Sequence, residues 1–97
     1  PDGQKQPPRI LLVCPPPIGD AVDSGAIGGM FTAAHSTAVS RDLPRYFAPL
    51  AQRYNCLYCE AGDYVTTSPV DSVHLTAQGH RALAEALASL IRQEAGC

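Results

Sequence analysis

Arg9-Ile10-Leu11-Leu12-Val13-Cys14-Pro15-Pro16-Pro17 is the stretch from which the fold is read. Ile10 to Val13 is a continuous apolar run with prolines on either side, Pro7-Pro8 before it and Pro15-Pro16-Pro17 after it. Apolar residues without polar alternation mark a strand covered on both faces in a parallel sheet. Proline ends the run because it has no N–H to give to the ladder. A second run, Cys56-Leu57-Tyr58-Cys59, precedes the breaker Glu60-Ala61-Gly62. Between the two strands, Leu43, Phe47, Leu50, Ala51 and Tyr54 recur at helical spacing and form one apolar stripe. Pro44 and Pro49 interrupt it. An interior proline costs a helix roughly 3 kcal/mol, so the helix is expected to start near one of these prolines or to kink, with Asn55 closing it. Farther on, Thr76 is an N-cap for a last helix with Leu83, Leu87, Leu90 and Ile91 as its buried stripe. Gly96 is its expected stop.

Two strands that want burial on both faces, joined by a crossover helix and followed by another helix, make one βαβα unit. The expected fold class is α/β with a parallel sheet, residues 1–97 belonging to one domain. Such a unit leaves a sheet edge open. Further strands cover that edge in a doubly wound fold, so the chain should pair with another polypeptide or be a fragment of a domain about twice its length. Without such a partner the edge predicts self-pairing, a homo-oligomer. The 97 residues, 45% of them hydrophobic, suffice for one small core. Residues 1–8, rich in Pro, Gly and Gln, read as a surface loop or ragged end. Beginning with Pro1 rather than Met, the chain is expected to have been processed or cut.

Composition removes several classes of partner. Net charge is −2 with both signs interspersed, so no basic stripe speaks for nucleic acid. No apolar run approaches the roughly 20 residues that span a bilayer, and the first residues do not form a signal peptide. No membrane partner is expected, and with reduced cysteines the expected compartment is the cytoplasm. The four cysteines allow three disulfide connectivities. A chain with an ordinary core does not require that framework, and cysteines also serve as small buried hydrophobes.

The chemistry is concentrated in Val70-Asp71-Ser72-Val73-His74-Leu75-Thr76-Ala77-Gln78-Gly79-His80. A carboxylate three residues before an imidazole can fix the ring's tautomer and stabilise the imidazolium that forms. By itself Asp-x-x-His is a weak motif that needs its context. Asp71-Ser72-Val73-His74-Leu75-Thr76, followed by Gly79-His80 on a loop entering an Ala- and Leu-rich helix, resembles the last conserved block of the SGNH, or GDSL-type, serine ester hydrolases. Ile10 to Pro17 is similar to the fourth strand and active-site loop of the aryl-esterase-like members, and Ala61-Gly62 falls where their fifth strand ends. The resemblance spans nearly the whole chain in order. It implies the C-terminal portion of a three-layer α/β/α, flavodoxin-like domain, with Asp71 as orienting acid and His74 as general base. The family's Gly-Asp-Ser-Leu nucleophile block, its glycine block and its Gly-x-Asn-Asp block are absent from this sequence. They would lie on the N-terminal part of the same hydrolase domain, expected as a second polypeptide, and this chain alone would be inactive.

On that resemblance the reaction is acyl transfer on a small ester substrate. His74 takes a proton from the serine, returns it to the leaving alcohol and then activates water, while Asp71 holds the ring. No metal or organic cofactor is needed. Residues 18–36 follow the carboxyl end of the first strand, where open α/β sheets bind ligands. Pro17 and Ile18 are therefore candidates for the acyl or alcohol pocket, against the plainer reading of a connecting loop. Asp23-Ser24-Gly25 has the letters of a nucleophile motif, but Ser24 is far from the strand end, where a sharp strand-to-helix turn would expose it.

Two rival readings remain. Cys56-x2-Cys59 with His74 and His80 fits a loose zinc spacing, although residues three apart on a strand point to opposite faces. A non-catalytic binding or assembly piece with an esterase-like fold is the other. His80 reads as a surface histidine and His35 as a loop or helix-start residue.

Overall fold

Leu11–Cys14 forms strand β1 and Leu57–Glu60 forms strand β2, and the two pair in parallel with Leu11 opposite Leu57 and Cys14 opposite Glu60. The computed structural model describes residues 8–24 and 32–95. The expectations placed on residues 1–7, on the loop at 25–31 and on Gly96 fall outside the described residues.

Parallel strands cannot be joined by a tight turn. The connection runs through a 3₁₀ turn at Asp20–Ser24, a π-helical turn at Ala33–Thr37, and helices α1 (Ala38–Asp42) and α2 (Pro44–Arg53). A further 3₁₀ turn, Ala61–Asp63, follows β2, and the chain ends in helix α3, Ala77–Ala95. This is the βαβα order read from the sequence.

Pro44 stands at the first turn of α2, where its missing N–H would have had no helical partner. Pro49 lies inside the same helix, which continues past it to Arg53. Asn55 then closes α2. Its φ of 54° is left-handed, a conformation asparagine tolerates better than most residues. Asn55 N–H donates to Gln52 O at 3.2 Å and Cys56 N–H donates to Ala51 O at 2.8 Å, the pair of bonds that satisfies the last carbonyls in a Schellman motif. Leu57 N–H reaches Ile10 O at 2.8 Å and begins the sheet immediately afterward. At the other helix, Thr76 Oγ1 accepts from Gly79 N–H at 3.0 Å, the N-cap bond expected of that threonine.

The core sits at the carboxyl ends of the strands. Cys14, Val22, Ala51, Cys59, Ala61 and Val65 are its buried apolar residues. None is larger than valine, so the apolar surface removed from water is modest.

Two burial expectations need correction. Leu11, Leu12 and Val13 are half-buried rather than covered on both faces. Along α3, Leu83, Leu87 and Leu90 are half-buried, and Ile91 is 54% exposed. The reason is common to both. Among the described residues each strand has one strand neighbour, and a two-stranded sheet offers α3 little surface to pack on. An exposed Arg9–Glu94 ion pair ties the end of α3 to the entry of β1, a contact of small energetic weight. The radius of gyration is 16.0 Å, against about 13 Å for a compact domain of this length. That excess reflects an elongated outline of 51 × 28 × 23 Å.

Candidate active site

Asp71 to His74 lie on the loop between the Ala61–Asp63 turn and α3, and the loop is tied to itself by short-range bonds. Ser68 N–H donates to His74 O at 2.7 Å and Ser72 N–H donates to Ser68 O at 2.8 Å. Ser68 Oγ accepts from Val70 N–H at 3.1 Å. Both serines are buried. Ser72 adopts a φ of 63°, a left-handed conformation that costs a residue with a Cβ roughly 1–2 kcal/mol. The turn gathers two amides on one carboxylate oxygen: Val73 N–H and His74 N–H both donate to Asp71 Oδ1 at 2.9 Å.

The other carboxylate oxygen, Oδ2, is 2.5 Å from His74 Nδ1. These bonds hold the Asp71 carboxyl well below its ordinary value, at about 2; the Val73 amide contributes most, then the His74 ring, then the His74 amide. Hydrogen bonds to the charged form favour that form. An ionised carboxylate only accepts, so the proton of the neutral ring is on Nδ1 and the basic lone pair is on Nε2. The Asp71 side chain is 16% exposed and that of His74 is 77% exposed. A sheltered acid behind an outward-facing imidazole is an arrangement suited to a positioned general base.

Pro17 and Ile18 are both half-buried on the loop that leaves β1. Ile18 N–H donates to Ser40 Oγ at 2.8 Å, and Ser40 Oγ–H donates to Thr37 O at 2.9 Å. Next along, Gly19 accepts at its carbonyl from Thr37 Oγ1–H at 3.1 Å and donates its N–H to Ser72 O at 2.8 Å. The structure therefore brings the Pro17-Ile18 loop against the Asp71–His74 loop through Gly19 and Ser72. Pro17 packs on Gly62, where an added Cβ would stand 3.1 Å from Pro17 Cδ. Grooves open beside Tyr54, between β1 and the end of α3, and beside Tyr64 along α3; none of these is lined by Pro17, Ile18 or His74.

Other sequence candidates are placed apart from this pair. The Ser24 hydroxyl donates to Ala21 O at 3.2 Å. Among the described residues no three His, Cys, Asp or Glu side chains gather as a metal site, so Cys56, Cys59, His74 and His80 are not brought together. His80 lies exposed in the first turn of α3, and His35 lies exposed in the π-helical turn. Cys14, Cys56 and Cys59 carry free thiols. Thr37, Ser40 and Ser68 escaped the sequence reading. A buried hydroxyl that serves a loop N–H or C=O has no period or spacing to announce it.

The βαβα unit recurs in solved structures of ester hydrolases. A carbohydrate acetylesterase family member from Sinorhizobium meliloti is 32% identical and superposes with a TM-score of 0.85, covering 100% of this chain and 44% of that one. The aryl esterase of M. smegmatis is 26% identical with a TM-score of 0.75, over 95% of this chain and 42% of the other. A further carbohydrate acetylesterase from Sinorhizobium meliloti is 28% identical with a TM-score of 0.70, over 95% and 42% of the two chains. By these matches the chain has the fold of part of the α/β domain of its structural neighbours, SGNH-type esterases. It spans less than half the length of each structure that it matches here. No family model matches the chain, and no curated protein matches it.

Proposed function

We propose that the chain supplies the acid and base, Asp71 and His74, of a Ser-His-Asp ester hydrolase whose serine and oxyanion donors lie on the N-terminal part of the same domain. The observation that carries this reading is the 2.5 Å Asp71 Oδ2–His74 Nδ1 contact beside an exposed ring, in a chain whose structural neighbours are esterases. His74 Nε2 takes the serine proton as the serine oxygen attacks the ester carbonyl. The imidazolium, held by Asp71, then protonates the departing alcohol. A water, deprotonated by the same nitrogen, releases the acid and restores the serine. Pro17 and Ile18 flank the acyl or alcohol side of the substrate. A small acyl group is supported by the carbohydrate acetylesterases among the structural neighbours.

Without the serine the chain has nothing to activate and is inactive by itself. Fluorophosphonate labelling read by intact mass on every co-purifying polypeptide tests this. The expected result is an adduct on the serine-bearing polypeptide that disappears with His74→Ala. Labelling that survives His74→Ala defeats the assignment of the base. No adduct on any polypeptide leaves a non-catalytic binding piece as the reading.

A further inference from the structure

The main chain at Gly19 stands so close to the Asp71–His74 loop that the absence of a side chain there has a consequence for the base. A Cβ added at Gly19 would be 3.0 Å from Ser72 Cβ, 3.1 Å from Ser72 Oγ and 3.2 Å from Thr67 Oγ1. Such distances are tighter than nine in ten real Cβ contacts, so the neighbours would have to give by a few tenths of an ångström. Gly19 N–H also donates to Ser72 O at 2.8 Å. Ser72, in turn, is the left-handed residue whose turn delivers the two amides to Asp71 Oδ1. Gly19 is itself held in place by Thr37 Oγ1, and its neighbour Ile18 by Ser40 Oγ.

We infer that Gly19 is a positioning residue for the Asp71–His74 pair: its bare backbone docks on Ser72 and locks the turn that aims Asp71 at the ring. This rests on the reading of His74 as general base. The loop bearing Pro17 and Ile18 and the loop bearing the base then form one mechanical unit. A displacement of one by a few tenths of an ångström reaches the other through a single hydrogen bond and a single close contact. Alanine at 19 cannot enter without moving Ser72, whereas glycine at 72 removes both Ser72 atoms that the new methyl would meet and suits the left-handed φ. The remaining neighbour, Thr67 Oγ1, is a side-chain hydroxyl, which a change of rotamer moves without displacing backbone.

The test is NMR of the 97-residue chain, observing the ring proton and both ring nitrogens of His74 in the parent, in Gly19→Ala and in Gly19→Ala/Ser72→Gly. The parent is expected to show a far-downfield Nδ1–H proton and the Nδ1-protonated tautomer. Gly19→Ala should lose that proton signal or mix the tautomers while the amide pattern of β1 and α3 persists, and the double variant should restore both signatures. A purely structural role would not move the tautomer and then return it. An unchanged ring in Gly19→Ala overturns the inference, as does failure of Ser72→Gly to restore it. If Gly19→Ala does not fold, the double variant decides: recovered fold and ring signal support the coupling, and no recovery refutes it. A parent without the Nδ1–H signal refutes the Asp–His reading itself, a result distinct from failure of the coupling.

Discussion

Replacing Ser40 by alanine should loosen the loop that carries Pro17 and Ile18, by an amount the geometry allows to be worked out. Ser40 is 7% exposed. Its hydroxyl accepts from Ile18 N–H at 2.8 Å and donates to Thr37 O at 2.9 Å. Each neutral hydrogen bond contributes about 0.5–1.5 kcal/mol net, and a donor left buried without an acceptor costs about 1–3 kcal/mol. Thr37 O loses less, since a carbonyl has a second lone pair and stands within a helical turn. The local cost is therefore about 2 kcal/mol, set by the stranded Ile18 amide. Because about 1.4 kcal/mol is a tenfold change in an equilibrium constant, the Ile18 amide should exchange with solvent about 30-fold faster in Ser40→Ala. Amide hydrogen exchange of parent and variant under identical conditions measures this. The exposed Ser24→Ala serves as control and should change exchange at Ile18 by less than about twofold, as surface substitutions usually do. An Ile18 amide in Ser40→Ala that exchanges within twofold of the parent would refute the claim that the Ser40 hydroxyl holds this loop.

Two other perturbations test the two left-handed turns. For Asp71, the folded carboxyl titrates at about 2, below its ordinary value. A depressed carboxyl adds stability that is fully present above the unfolded value near 3.9 and is lost as pH falls through about 2. The stability advantage of the parent over Asp71→Asn should therefore shrink from pH 5 to pH 2, followed by urea unfolding; a gap that stays constant over that window would contradict it. At the end of α2, Asn55→Val places a β-branched residue at φ 54° and should cost about 1–2 kcal/mol, whereas Asn55→Gly should be close to neutral. Equal stability of the two variants in the same unfolding assay would remove the strain argument.

The elements of this fold were readable because each is marked by local chemistry. Ile10 to Cys14 is bounded by prolines, Asn55 is an asparagine where a left-handed residue is needed, and Thr76 is a hydroxyl where a cap is needed. The Asp71–His74 pairing was readable for the same reason, since three residues separate its partners. Burial was less legible. The apolar stripes of β1 and α3 were read as covered, yet Leu11, Leu87 and Ile91 remain partly open, because a stripe shows that a surface requires cover and does not show whether the covering element is in the same chain. The ties at Thr37, Ser40 and Ser68 were not legible at all. Each depends on where a distant backbone amide or carbonyl ends up after folding, and no residue spacing encodes that.

The bonds from Ser68 to His74 close within one short stretch of chain. Closing a short loop costs little chain entropy, and that cost grows slowly with length. The contacts that draw Asp71 and His74 together are therefore local in sequence, and their pairing can begin before the distant contact with Gly19 locks it. The contact with the Gly19 loop is different: it joins residues on either side of β2 and forms only when the parallel pair does. Order in the site thus arrives in two stages, a cheap one that draws Asp71 and His74 together and a costly one that locks the turn between them.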